Sequence, residues 1–242
     1  MEPLAGQFDD NGYAIVPQCL SPVIVQEMLR SIEEARQHPA TLEAVSNRSG
    51  VYALRNLSDV IPNLQQLVQD PEVVRIVHSV IGHDAFMTRA TLFDKTDGAN
   101  WGVFWHQDLS IAVKARHEVE GFHAWTRKAG VLSVQPPAHL MGNVLAVRLH
   151  LDDCYAENGA LKVLPGSHRN GRLCAVSLDS TVKLSNEVIC EVSRGGAVLM
   201  NPLTLHASSP MTVPGHRRVI HLEFAAFDLP SPLQWQYRIP CR

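Results

Sequence analysis

From about residue 84 onward the chain breaks into short apolar runs, each bounded by Gly, Pro, Asn or Asp. They fall at 85–93, 131–135, 143–151, 160–164, 188–193, 196–200, 204–208 and 217–226. Runs of this length between turn-forming residues read as β-strands. The first 83 residues have a different pattern. A short apolar stretch from Gly12 to Val16 precedes Pro17, as a strand would. Ser21-Pro22 then supplies a helix start, with a capping hydroxyl followed by proline at the first helical position. Ile24, Met28, Leu29, Ile32 and Ala35 recur at helical spacing behind it, and Pro39 lies past the expected end. A second helix is expected from Asp70-Pro71 to Gly82, with Val73, Val74, Val77, Val80 and Ile81 on its buried face. Helices first and many short strands later predict a mainly β (α+β) fold, a double-sheet β core flanked by N-terminal helices.

The length of 242 residues suits one such domain. No linker divides it, so residues 1–242 are expected to form a single domain, helical to about 83 with a β core over about 84–228. The 39–60 and 109–130 segments carry no clear periodicity and are expected to be long loops of the kind that form lids. The formal net charge of -3 and the lack of clustered Lys and Arg argue against a nucleic-acid partner. No apolar run approaches the roughly 20 residues of a membrane span. The N-terminal residues lack the basic and apolar regions of a signal peptide. Cys19, Cys154, Cys174, Cys190 and Cys241 are scattered, odd in number and without a C-x-x-C pair, which favours reduced thiols. These features predict a soluble, cytoplasmic protein, monomeric or weakly self-associating, with a small-molecule partner.

Trp105-His106-Gln107-Asp108 carries the strongest chemical signal. Residues i and i+2 of an extended segment point to the same side, so His106 and Asp108 can reach one ion. His206, in the polar stretch after the apolar Ala197–Met200 strand, is the candidate third ligand. Two imidazoles and one carboxylate on one face leave open positions, the arrangement that suits a non-haem iron(II) centre. H-x-D alone is a weak pattern in a chain with 12 His, and a second copy, His150-Leu151-Asp152, is present. The aromatic residues Trp101, Phe104 and Trp105 favour the first copy. The second runs into a turn at Glu157-Asn158-Gly159, where Asp152 reads as a turn residue.

With these residues in hand, the chain resembles the phytanoyl-CoA dioxygenase family. Trp105-His106-Gln107-Asp108 looks like that family's H-x-D segment, and Glu157 to His168, ending in Pro-Gly-Ser-His, resembles its middle signature. His206-Ala-Ser208, with Arg217 eleven residues past the histidine, is similar to its distal motif. The motifs come in the family's order, over about residues 8–228. The resemblance implies a double-stranded β-helix, or jelly roll, of cupin-like shape. It implies iron(II), dioxygen and 2-oxoglutarate as co-substrate, and hydroxylation of an unactivated C–H with release of succinate and carbon dioxide. A carboxylate at Asp108 favours this over halogenation, for which related enzymes carry a small residue there. Arg217 is most similar to the residue that grips the far carboxylate of 2-oxoglutarate, and a guanidinium suits that task. Arg218 is its rival, facing the other side of the strand. If Arg217 faces inward, Val219, His221 and Glu223 share its face. Ser208, Thr91 and Arg148 match positions near the co-substrate in relatives, while Gly166, Ser167 and His168 suit a structural turn. Arg55, Asn56, Lys95, Trp101, Trp125 and Arg127 are candidate substrate contacts, for a small or mid-sized metabolite rather than an acyl-CoA. The alternatives are a cupin-like metal hydrolase or isomerase, a non-catalytic binding protein on this scaffold, and a structural β-sandwich with core histidines.

Overall fold

The computed structural model describes residues 3–37, 44–47, 50–128 and 130–242; Pro39 lies outside them. In chain order come α1 (Leu4–Asn11), β1 (Tyr13–Val16), α2 (Pro22–Arg36), β2 (Ala44–Asn47), β3 (Gly50–Leu54), α3 (Leu57–Val60), α4 (Leu64–Val68) and α5 (Pro71–Ile81). The β-rich part follows with β4 (Phe86–Thr96), β5 (Val103–His106), β6 (Ile111–Val113), β7 (His123–Lys128), β8 (Val131–Gln135), α6 (Ala138–Met141) and β9 (Leu145–His150). It closes with β10 (Leu161–Val163), α7 (Ala175–Leu184), β11 (Val188–Cys190), β12 (Ala197–Met200), β13 (His206–Ser208), β14 (His216–Ala225) and β15 (Ile239–Pro240).

Both expected helices form as their capping residues dictate. The Ser21 side chain accepts from Ile24 N at the start of α2, and Asp70 accepts from Glu72 N and Val73 N at the start of α5. Among the described residues the strands build three antiparallel sheets. The largest runs β1-β12-β9-β14-β4-β3-β2, with β15 beside β4; a second runs β11-β10-β13-β5, and a third β6-β8-β7. The first two are the facing layers of a jelly roll.

Alternation along the strands sorts side chains between the layers. Leu145, Val147 and Leu149 of β9 join Ile220, Leu222 and Phe224 of β14 in one apolar cluster with Met28 and Ile32 of α2 and Val73, Ile76 and Val77 of α5. The helices therefore cover the outer face of the large sheet. The intervening residues, Arg148 on β9 and Arg217, His221 and Glu223 on β14, face the other way, toward the second sheet.

Two expectations change. The 109–130 segment is not one long loop: β6 and β7 fall inside it and pair with β8. Likewise β2, β3 and α3 lie within 39–60. Three residues of β6 and the charged, exposed β7 sequence HAWTRK give too little alternation to read as strands.

Candidate metal centre

β5 and β13 are antiparallel neighbours, and His106 and His206 are paired across them. Their rings face each other with centroids 4.1 Å apart. Asp108 follows β5 and is held by its backbone N–H, which donates to Pro202 O at 2.9 Å. Its carboxylate oxygens lie 3.9 Å from His106 Nε2 and 3.5 Å from His206 Nε2. One ligand atom from each residue falls within 4.8 Å of the others, the one such cluster among the described residues. In both histidines Nδ1 sits against the carbonyl two residues back, Phe104 O at 2.8 Å and Thr204 O at 2.9 Å. Nδ1 must therefore carry the proton, which leaves the Nε2 lone pair for a metal. Burial, only partly offset by Asp108, lowers His206 to about 4, so its imidazole is neutral near pH 7. Burial would raise the Asp108 carboxyl, but His206, His221, His106 and Arg148 bring it down to about 2.

Gln107, between the two ligands, was not among the sequence candidates. It is buried, and its amide donates to Leu203 O at 2.7 Å and to Gly171 O at 2.8 Å and accepts from Leu173 N at 2.9 Å. It thereby ties the ligand-bearing turn to the loop that leads into His206.

The triad opens on a cavity of about 420 Å³. Arg217 is 3% exposed, lines the cavity, and its Nε meets no acceptor. Arg218 is committed elsewhere: Nε and the terminal nitrogen donate to the two oxygens of Asp152 at 2.8 and 2.7 Å. This pair also accounts for the second H-x-D copy, whose His150 is fully buried with both ring nitrogens unpartnered. Arg148 donates to His221 Nδ1 at 3.2 Å, and its Nε too is unpartnered. Burial and the neighbouring Arg217 lower Arg148 to about 10, which still leaves it charged near neutrality. Thr91 and Ser208 also line this part of the cavity.

The candidate substrate residues divide. Arg55, Asn56 and Trp101 line the cavity. Lys95 does not: it is fully buried behind the wall, donating to Ser208 Oγ at 3.1 Å and Ser209 O at 2.6 Å, with Trp101 at 5.4 Å. Burial, Arg217 and Arg148 lower its ammonium to about 7. Trp125 and Arg127 are also off the wall. Thr126 and Lys128 line it instead, because neighbours on a strand face opposite sides. Trp125 packs into the cluster around Trp235, and Arg127 donates to Gly130 O.

A jelly roll whose two histidines and one carboxylate open on a cation-lined cavity offers the donor set that suits a non-haem iron(II) centre. The model of the phytanoyl-CoA dioxygenase (PhyH) family matches residues 8–219, and the chain belongs to that family. The chain is 26% identical over 170 residues to the ectoine dioxygenase of Nocardia farcinica, covering 67% of this chain and 49% of that protein. It thus spans about half the length of the ectoine dioxygenases it matches. Among solved structures, the non-haem α-ketoglutarate-dependent carbocyclase SnoK from nogalamycin biosynthesis superposes with a TM-score of 0.73 at 17% identity, over 94% of this chain and 85% of that one. EctD from S. alaskensis, with 2-oxoglutarate and 5-hydroxyectoine, gives 0.70 at 19% identity, over 92% and 74%. Both likenesses bear out the jelly-roll fold. No helix among the described residues is long and apolar enough to cross a membrane.

Proposed function

We propose that the chain is an iron(II)- and 2-oxoglutarate-dependent dioxygenase that hydroxylates an unactivated C–H of a small or mid-sized metabolite. One observation carries this reading. A neutral-histidine and carboxylate triad stands beside two buried guanidiniums whose Nε atoms lack acceptors. The donor set fits iron(II), and buried guanidiniums with hydrogen-bonding capacity to spare fit a dianion such as 2-oxoglutarate. When bound, the pair supplies dioxygen activation and C–H oxidation, with succinate and carbon dioxide as by-products.

The chain's own residues supply position and charge. His106 and His206, their Nε2 atoms freed by the Phe104 and Thr204 carbonyls, would hold the metal together with a carboxylate oxygen of Asp108. Arg217 takes the far carboxylate of the co-substrate in a two-pronged grip, and Ser208, itself held by Lys95, adds a hydroxyl. Arg148 and Thr91 flank the metal end. Arg217, Arg148, Ser208 and Thr91 are buried, which strengthens their charged contacts.

The test is an anaerobic titration of the metal-free protein with iron(II) and 2-oxoglutarate, watching for their visible charge-transfer band. A band that needs both components and weakens in His206→Ala and Arg217→Ala is the expected result. Folded, iron-loaded protein without a band would turn the reading toward a cupin-like hydrolase or a binding scaffold.

A further inference from the structure

The inward residues of β14 step along the cavity in the order Arg217, His221, Glu223. Same-face neighbours on a strand lie ~7 Å apart, so Arg217 and Glu223 are separated by ~20 Å of strand. His221, between them, lines the same cavity as His106, Asp108 and His206, and its Nδ1 accepts from Arg148 at 3.2 Å. Glu223 therefore sits one inward step beyond His221, on the side away from Arg217.

Glu223 is 6% exposed and lines the cavity. Its Oε1 accepts from Arg89 at 3.1 Å, while Oε2 meets no donor. Arg89 is divided among three acceptors, because it also donates to Ser110 O at 3.1 Å and Ser133 Oγ at 3.3 Å. The pairing of β14 with β4 shifts immediately after Glu223 and Arg89, so the charged pair stands at a bulge. Bulges recur where a sheet re-aims side chains at a site. The wall opposite is polar as well, with Thr126, Lys128, Ser133 and Gln135 from β7 and β8.

A hydrocarbon chain laid here would press carbon against an unpaired carboxylate oxygen, which is unfavourable in a buried site. A charged N–H donor would complete it, and such bonds are about twice as strong as neutral ones. Given an iron and 2-oxoglutarate centre at the triad, we propose that Glu223 determines substrate specificity: its Oε2 accepts an N–H from a small, polar, amine-bearing substrate.

The test uses the full chain loaded anaerobically with iron(II) and 2-oxoglutarate. Matched probes differ only in the amine: L-proline against cyclopentanecarboxylate, L-pipecolate against cyclohexanecarboxylate, and ectoine and myristoyl-CoA as further arms. Binding is read from the perturbation of the charge-transfer band and, under air, from probe-stimulated succinate release. The expected result is binding confined to amine-bearing probes, weakened at least tenfold in Glu223→Gln while 2-oxoglutarate affinity stays within twofold. Binding of the amine-free acids or the acyl-CoA instead, no amine-bearing probe bound, or an unchanged Glu223→Gln variant would overturn the proposal. The charge-transfer band itself separates the two readings. Its absence defeats the cofactor assignment, whereas its presence without amine preference defeats only the substrate class.

Discussion

At the scale of single residues, the adjacent arginines of β14 divide the labour between site and scaffold. Arg217 is buried with an unpaired Nε, whereas Arg218 is spent on Asp152. Arg217→Ala is expected to raise the 2-oxoglutarate dissociation constant by ~30-fold or more, the range for truncating one partner of a buried charge pair. Arg218→Ala should leave that constant unchanged and cost at most ~1 kcal/mol of stability, as for other partly exposed ion pairs. Titration of the charge-transfer band and urea denaturation read the two quantities. Gln107 gives a second prediction. Gln107→Ala removes three hydrogen bonds and leaves the Gly171 and Leu203 carbonyls and the Leu173 N–H without their amide partner. A loss of ~1–3 kcal/mol is expected, together with weaker iron binding measured by competition with a chelator. The three residues that meet at the candidate metal centre were legible in the sequence because such chemistry constrains both residue type and spacing. Glu223 was expected only to share the inward face of Arg217, and Gln107 was not singled out, because an amide next to a strand has many uses. Only the pairing of strands tells which of its atoms are satisfied.

At the scale of elements, the apolar strands bounded by turn residues were legible, whereas the short β6 and the exposed β7 were not. The expected 131–135 run coincides with β8, and 217–226 differs from β14 by one residue at each end. β7 escaped notice because its side chains are mostly exposed and its alternation is broken at Ala124, which has a left-handed φ of 51°. That break, where the pairing with β8 shifts between His123 and Thr126, sets which side chains face the cavity. It explains why Trp125, a reasonable candidate from the sequence, packs away from it. The loop that delivers His206 depends on a glycine far off in sequence. Gly12 has a φ of 75°, and its carbonyl accepts from Asn201 N and Thr204 Oγ1, both at 2.8 Å. A Cβ there would come within 2.4 Å of Thr204 Oγ1 and His168 Nδ1. Gly12→Ala is therefore expected to destabilise the fold by ~1–3 kcal/mol, combining overpacking with backbone strain. It should also weaken iron binding, because Thr204, one of the two residues displaced, belongs to the turn that ends at His206. Thermal denaturation with and without iron(II) separates the two effects.

At the scale of the whole molecule, the interior carries a surplus of positive charge that the fold alone does not neutralise. Arg148, Arg217 and Lys95 are all buried; besides burial itself, Arg217 lowers the proton affinity of Arg148, and both arginines lower that of Lys95. Such an arrangement sacrifices stability at a site in order to favour an anion there. Lys95 makes the cost measurable. Its ammonium titrates near 7 in the folded chain against 10.5 when unfolded. Between those values the unfolded chain holds a proton that the folded chain has released, so stability must rise with pH. The slope from this one group approaches ~1.4 kcal/mol per pH unit at its steepest. The buried thiols of Cys19, Cys190 and Cys241, raised to about 12, work in the opposite sense above pH 9. The window in which Lys95 dominates is therefore about pH 7 to 9. Urea denaturation of the metal-free protein across that window should show stability rising with pH, and Lys95→Met should flatten the rise. Saturating 2-oxoglutarate with a redox-inert divalent metal should flatten it too, because a bound dianion favours the charged lysine and pulls its titration back up. Ligand present at a hundredfold excess over its dissociation constant should add ~2.7 kcal/mol of stability by mass action. An unchanged slope in Lys95→Met would show that the buried lysine is not the group that sheds its proton.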